Sequence, residues 1–585
     1  MKFLLAAINA KYIHSNPAVY SLYAYSRDKH EQSMEIAEYT INQRTEDILA
    51  QLYERKPDAI GFSCYIWNWN AVCELLDDLP KVLPETDIWL GGPQVSFNAP
   101  QILEQFPCIK GIMIGEGEVT FRELLERYEK QDTEDFSGVA GLCLRSGFTA
   151  ERDITDLSGL PFLYHDTETF TNRILYYESS RGCPYRCSYC LSSIDKKVRL
   201  RDIGLVKKEL DFFLANKVKQ VKFVDRTFNC VHEHAMAIWQ YLYEHDNGVT
   251  NFHFEISADI INDEELELLG KLRPGQIQLE IGVQSVNEET LAAINRKMDL
   301  KRLEYVVSRI RKNHNIHQHL DLIAGLPYED YESFKNSFDR VYAMKPDQLQ
   351  LGFLKVLSGA PISLKTQEYG ISYTKQPPYE VLYTRWLSYE DVIRLKKVEE
   401  MVEQYYNSDQ FGHVLAFMEQ AFESPFIMFE TLAAFYEEKG YYTNNPSRAY
   451  RYEVLLEFTD IYDSGNREIY TELLTYDLYL RENMKSRPMF CRPLTDDTYK
   501  RFRHDFYREE EQTRRYLPGL CDHDSRQLSG MTHLEAFSYP VWDTERLIRS
   551  RNKLKKQEDR YILFDYSKRD PLSKEAAVYQ VDGNT

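Results

Sequence analysis

The chain has 585 residues, 43% of them hydrophobic, and a formal net charge of −20, which disfavours a broad electrostatic footprint on nucleic acid or an anionic membrane. Its ten cysteines are too sparse for a disulfide framework, and no stretch approaches the roughly 18 to 20 apolar residues needed to span a bilayer. The length implies two to four domains, and the protein is expected in the cytoplasm, with no membrane or nucleic-acid partner.

The opening MKFLLAAINA has too short an apolar run for a secretory leader and reads as a first buried strand. Further apolar runs follow at DAIGFSCYIW, DIWLGG and IKGIMIGEGE, alternating with helical patterns, as in a parallel sheet covered by helices. Gly91-Gly92-Pro93 and Gly115-Glu116-Gly117-Glu118 close two of these strands with sharp turns, at the edge where open α/β sheets bind ligands. A less regular segment, residues 141–172, is expected to be a linker. Six strand-helix units then run from ILYYESS to DQLQLGFLKV and suggest a partial α/β barrel over 173–372. From 373 to 540 long Tyr-rich segments with helical spacing predict a mostly helical domain. Residues 541–585 read as a polar tail with one hairpin, DRYILFDYSK and AAVYQV, and its charge run RSRNKLKK as a solvated face.

The densest chemistry lies in Ser180-Arg-Gly-Cys183-Pro-Tyr-Arg-Cys187-Ser-Tyr-Cys190, directly after the strand RILYYES. Three soft thiolates on one loop can surround an iron-sulfur cluster and leave one iron open to a small molecule. Zinc is the competing reading, but it normally takes four ligands, and no further Cys or His occurs between Gly182 and Leu210. The other cysteines, Cys230 among them, have no metal-ligand spacing.

The C-x3-C-x2-C spacing, with aromatic Tyr189 before its last cysteine, resembles the radical SAM superfamily. That resemblance implies a 4Fe-4S cluster on Cys183, Cys187 and Cys190 that binds S-adenosylmethionine and opens it to a 5'-deoxyadenosyl radical. It also implies cofactor contacts along the later strand ends: Asp225 and Asn229 near the methionine amino group, Ser257, Asp259, Glu280, Gly282 and Gln284 where ribose and carboxylate are read, Gly325 at the adenine turn, and Arg296 as a carboxylate partner. The chain departs from the pattern at Asp225-Arg226, where subfamilies often carry two acids.

Residues 1–140 resemble the Rossmann-like cobalamin-binding domain that precedes the barrel in one class of these enzymes. The resemblance places the corrinoid against Gly91, Gly92, Gly115, Glu116, Gly117 and Glu118, where glycine permits close backbone approach. The D-x-H-x-x-G signature is absent, so the cobalt is expected to have no protein histidine below it. His14, alone near the first strand's end, reads as a satisfied loop histidine. A holding domain that binds nothing is the alternative.

The whole resembles cobalamin-binding radical SAM proteins carrying a C-terminal domain of unknown function. The fold class is thus α/β: a Rossmann-like domain, a partial (β/α)6 barrel and a mostly helical C-terminal domain. The implied activity is methyl transfer to an unactivated carbon or phosphorus centre of a small molecule via methylcobalamin, with electrons from a donor such as flavodoxin or ferredoxin. The alternatives are a radical rearrangement, cyclisation or reduction with cobalamin as electron relay, and a non-catalytic corrinoid or iron-sulfur carrier.

Overall fold

The structure is a computed structural model and describes residues 1–165, 170–494 and 497–581. It divides into two compact units. The first comprises Met1–Ser333 and Gly352–Tyr389, the second Phe334–Leu351 and Glu390–Thr585.

The first unit opens with strands β1 (Phe3–Asn9), β2 (Met34–Thr40), β3 (Ala59–Ser63), β4 (Asp87–Gly91) and β5 (Ile109–Met113). They pair in parallel in the order β2-β1-β3-β4-β5. Every residue of β1 and β3 is buried, as expected of parallel strands covered on both faces. Alternation sorts them: Leu4, Ala6 and Ile8 pack with the helices Thr45–Arg55 and Trp69–Val82. Phe3, Leu5 and Ala7 pack with Pro17–His30 and Glu118–Glu129 on the other face.

Two further strands, β6 (Leu142–Leu144) and β7 (Gly147–Phe148), extend this sheet antiparallel at the β5 edge. They fall in the segment expected to be a linker; buried Leu142 and Cys143 draw it onto the sheet.

The barrel begins with β8 (Leu175–Tyr177), followed by a short antiparallel pair, β9 (Ser180–Arg181) and β10 (Arg199–Leu200), that brackets the cysteine loop. Strands β11 (Gln220–Phe223), β12 (Asn251–Ile256), β13 (Ile277–Gln284), β14 (His317–Ala324) and β15 (Gln348–Phe353) complete a six-stranded sheet ordered β15-β14-β13-β12-β11-β8. In β13 apolar Ile277, Leu279, Ile281 and Val283 are buried while Gln278, Glu280, Gly282 and Gln284 alternate as half-buried positions. The register Glu255↔Glu280↔His319 and Lys222↔His253 places a polar row on the same face of neighbouring strands. A small antiparallel pair, β16 (Ser372–Tyr373) and β17 (Val381–Tyr383), follows.

The second unit is mainly helical. Its helix Arg467–Arg481 is buried at every position from Glu472 to Leu480, as befits an element wrapped on all sides. Two buried acids on it are consumed locally. Asp477 accepts from the Val414 backbone N–H at 3.0 Å and pairs with His413 Nδ1 at 2.7 Å; Glu472 accepts from the backbone of Ser538 and Tyr539. The C-terminal stretch expected to be a tail is instead built in: β18 (Thr532–Phe537), β19 (Arg560–Arg569) and β20 (Ala576–Val581) form an antiparallel sheet whose last two strands are the expected hairpin. Nor is RSRNKLKK wholly a solvated face. Arg551 turns inward onto Asp463, the Phe417 carbonyl and the Phe417 ring, because an unpaired Asp463 carboxylate beside Tyr470 calls for a cation.

Candidate cofactor site

The cysteine loop is held from several sides. Gly182 has φ +97, and a Cβ there would stand 2.4 Å from the Lys197 carbonyl oxygen, so only glycine fits. The Cys183 N–H donates to the Asp195 carbonyl at 2.9 Å and the Ser188 N–H to that of Ile294 at 2.9 Å. Cys183 and Cys187 are buried, Cys190 is half-buried, and all are free thiols. Cys183 Sγ lies 3.5 Å from Thr227 Oγ1, and Arg296 Nη1 lies 3.8 Å from Cys187 Sγ. Burial pushes the Cys187 thiol up, and the Arg296 guanidinium opposes that shift by favouring thiolate.

Among the described residues no three Cys, His, Asp or Glu side chains stand close enough to form a metal site as placed, so the thiols share one loop without converging. The donor set nevertheless suits a cluster. Three thiols lie within one short loop beside a half-buried guanidinium, and the Ser188 hydroxyl, Gln284 Oε1 and Arg296 Nε are buried without a hydrogen-bond partner. Such orphaned atoms around the Cys187–Arg296 contact await a polar ligand. Gln284 also has φ +74, an uncommon conformation for a side-chain-bearing residue and a mark of functional sites.

The other expected contacts divide. Asp225 is fully buried and its carboxylate is already taken by the Ser179 N–H at 2.9 Å, the Ser179 hydroxyl at 2.7 Å and the Ser180 hydroxyl at 2.5 Å. Burial nonetheless pushes it up to about 6. Asn229 spends both ends of its amide on the Ser257 backbone, each at 2.9 Å. These two brace the strand ends that carry the cysteine loop, a positioning part rather than open ligand contacts. Ser257 donates to Asp259 at 2.7 Å and meets the Tyr185 hydroxyl of the cysteine loop at 3.4 Å. Tyr189 is half-buried next to Cys187, and loss of solvent there raises its phenol. The Gly282 carbonyl accepts from Arg296, while Gly325, at φ +86, packs under Val381.

Glu280 is held by Lys222 Nζ at 3.0 Å and His253 Nε2 at 2.9 Å. Burial alone would raise it, but His253 and Lys222 outweigh that and draw it down to about 2. Beside it Glu255, whose nearest cation is Lys222 at 3.9 Å, is pushed up to about 7 by burial and by the Glu280 charge. Apart from Glu280, this interior row, with His319 and Asp321 at 3.0 Å, was missed from the sequence, although the period-two pattern of NFHFEIS, QIQLEIG and HQHLDL carries it.

Gly91, Gly92 and Gly115 to Glu118 all line one cavity of about 710 Å³. Gly92, at φ +108, leaves room for the Cys64 carbonyl, which a Cβ would approach to 2.6 Å; a Cβ on Gly115, at φ +77, would meet nothing within 4 Å. This bare backbone edge suits a bulky ligand lying directly on it. The two acids of that loop are engaged. Glu116 pairs with Arg199 at 2.6 Å and Arg181 at 3.2 Å, and Glu118 with Arg181 at 3.2 Å. Although burial would raise Glu116, Arg199 and Arg181 bring it down to about 2. Arg181 also pairs with Glu178 at 2.7 Å, so one side chain, with no special signal in the sequence, ties the glycine loop to the cysteine loop.

Family models match in three consecutive parts of the chain: the B12 binding domain over residues 4–125, the Radical SAM superfamily over 177–341, and a Protein of unknown function (DUF4080) over 367–564. The chain thus carries, in this order, a B12 binding domain, a radical SAM domain and a C-terminal domain of unknown function. Its cofactors are those of the two named domains, a 4Fe-4S cluster with S-adenosylmethionine and cobalamin. It is similar to the cobalamin-dependent radical SAM methyltransferase TokK of Streptomyces tokunonensis, 27% identical over 347 residues, covering 54% of this chain and 50% of the other. It is also similar to the 2-(S-pantetheinyl)-carbapenam-3-carboxylate methyltransferase of Streptantibioticus cattleyicolor, 26% identical over 341 residues, with 54% and 50% covered. The chain thus spans about half the length of the curated relatives it matches. Among solved structures, the cobalamin-dependent S-adenosylmethionine radical enzyme OxsB with aqua-cobalamin bound shares the fold at TM-score 0.55 and 15% identity, covering 95% of this chain and 82% of that one. No helix among the described residues is long and apolar enough to cross a membrane.

Proposed function

We propose that this radical SAM enzyme is a cobalamin-dependent methyltransferase acting at an unactivated carbon or phosphorus centre of a small molecule, with electrons from a flavodoxin or ferredoxin. The observation that carries this reading is the single side chain, Arg181, that joins the glycine-lined cavity to the cysteine loop. Two cofactor sites with a shared brace suit a reaction that uses both on one substrate. The activities for which the two methyltransferase relatives are named support it further.

When bound, the cluster and S-adenosylmethionine supply a radical that removes hydrogen from the substrate, and cobalamin supplies the methyl group. This chain's own residues do the rest. Cys183, Cys187 and Cys190 would hold the cluster, and Arg296 favours thiolate at Cys187. Gln284, Ser188 and Arg296 offer unspent polar atoms to the amino-acid end of S-adenosylmethionine. Gly91, Gly92 and Gly115 expose backbone to the corrinoid, and Asp225 and Asn229 keep the strand ends in register.

The test is anaerobic turnover with S-adenosylmethionine deuterated at its methyl group and a small-molecule extract from cells lacking the protein. Methyl transfer predicts 5'-deoxyadenosine together with a labelled small molecule. Deoxyadenosine without any labelled product would replace this reading with a rearrangement, cyclisation or reduction. In the same preparation Cys187→Ala is expected to abolish the cluster's visible absorbance and its bound iron; a variant with a normal cluster contradicts the ligand assignment.

A further inference from the structure

The sheet order β2-β1-β3-β4-β5 means that the chain leaves β1 toward one side and returns to begin β3 on the other. The loops after β1 and β3 therefore part at their C-terminal ends, and open parallel sheets bind ligands at such a switch point. The first of these loops carries His14, the second Tyr65 and Trp67. All three line a second cavity, of about 550 Å³, which shares Tyr65, Glu178, Arg181 and Arg226 with the glycine-lined cavity beside it. A nucleotide-tailed macrocycle exceeds the drug-sized ligands that cavities of roughly 300 to 1,000 Å³ enclose, so it needs both. Tyr65 and Trp67 are stacked at 4.3 Å with their planes 9° apart, a flat apolar surface for a ring.

His14 is held as a ligand would be. Its backbone is pinned by a bridge to Ile174, with the Ile174 N–H donating to the Ile13 carbonyl at 2.8 Å. Its Nδ1 stands 2.7 Å from the Tyr176 hydroxyl on the first barrel strand. With the ring proton on Nδ1 given to Tyr176, the Nε2 lone pair is unspent, and Nε2 has no hydrogen-bond partner among the described residues. Metal-bound imidazoles are usually oriented through their other ring nitrogen in this manner.

We propose that His14 Nε2 is a cobalt ligand of bound cobalamin, its ring oriented by Tyr176 and the corrin lying against the Tyr65–Trp67 surface. The inference rests on cobalamin binding. It reverses the expectation drawn from the missing D-x-H-x-x-G signature, because the donor is placed by a tyrosine from the barrel rather than by its sequence neighbours.

The test needs no substrate. The full chain, labelled with 15N only in histidine, is loaded with unlabelled cobalamin, reduced to the cob(II) state and examined by electron paramagnetic resonance. The expected result is nitrogen splitting that changes from triplets in unlabelled protein to doublets in labelled protein, and that is lost in His14→Ala while cobalamin is retained. Triplets that persist in labelled protein, meaning the cofactor's own base is the ligand, would overturn the proposal, as would an absence of nitrogen splitting. Labelling the wild-type chain keeps the proposal testable even if His14→Ala fails to fold. A wild-type chain that binds no cobalamin defeats the underlying reading and this inference together, and is distinguished by the absence of any cobalt signal.

Discussion

Glu255 and Glu280 are register partners on adjacent barrel strands, yet one is pushed up to about 7 and the other drawn down to about 2. The difference is the supply of cations: Lys222 and His253 are spent on Glu280, and Glu255 is left with burial and a like charge. A carboxyl raised in the folded state holds its proton where the unfolded chain has released it, between about 4.5 and 7. Its contribution is therefore present below that window and is lost as pH rises through it. Glu255→Gln is expected to raise the melting temperature at pH 8 and to have little effect at pH 5. The gain is up to about 3 kcal/mol, less whatever solvent in the barrel screens. Equal shifts at the two pH values would remove Glu255 as the cause.

At the scale of elements, the strand ends do the positioning and glycine decides how closely they approach. Gly92→Ala forces a Cβ to 2.6 Å from the Cys64 carbonyl at a φ of +108. A strain of about 1–3 kcal/mol should appear as a lower melting temperature and a weaker hold on cobalamin, read by equilibrium dialysis with hydroxocobalamin. Gly115→Ala carries the strain of φ +77 but its Cβ meets no protein atom within 4 Å, so it should weaken cobalamin binding through the ligand and lower the apo melting temperature less than Gly92→Ala does. If both variants bind cobalamin as the wild type does, the glycine edge is not the corrinoid's resting place. The helical elements of the second unit are decided differently: Asp477 and Glu472 are acids in the middle of a buried helix, stable there because each meets backbone N–H groups of another segment.

For the whole molecule, a ligand that binds only the folded chain stabilises it by mass action, about 2.7 kcal/mol at a hundredfold excess over Kd. With two compact units, calorimetry is expected to show that cobalamin moves the transition of the unit containing the sheet and barrel and leaves the other in place. A uniform shift of all transitions would indicate that the two unfold as one. The charge of −20 acts at this scale as well, disfavouring nucleic-acid binding, while the cations Arg181, Arg199 and Lys222 lie half-buried among acids in the first unit.

Local pattern was enough for a good deal of this. Continuous apolar runs such as FLLAAIN announced doubly covered parallel strands, the cysteine spacing announced three thiols on one loop, and the paired glycines announced bare backbone at a sheet edge, because each depends on neighbours within a few residues. Folding decided the rest, since hydrogen bonds and ion pairs are made across the chain. Asp225 was legible as a strand-end acid, but only the packing of Ser179 and Ser180 against it shows its carboxylate to be spent. Arg181 looked like one letter of a loop until Glu116 and Glu118 came within 3.2 Å. Arg551 lay in a charge run that reads as solvated, and Asp463 drew it inward. His14 looked self-contained because its orienting partner, Tyr176, is 162 residues away. Residue type and spacing set which groups can do chemistry; which of them keep a free lone pair or proton is settled only when distant segments meet.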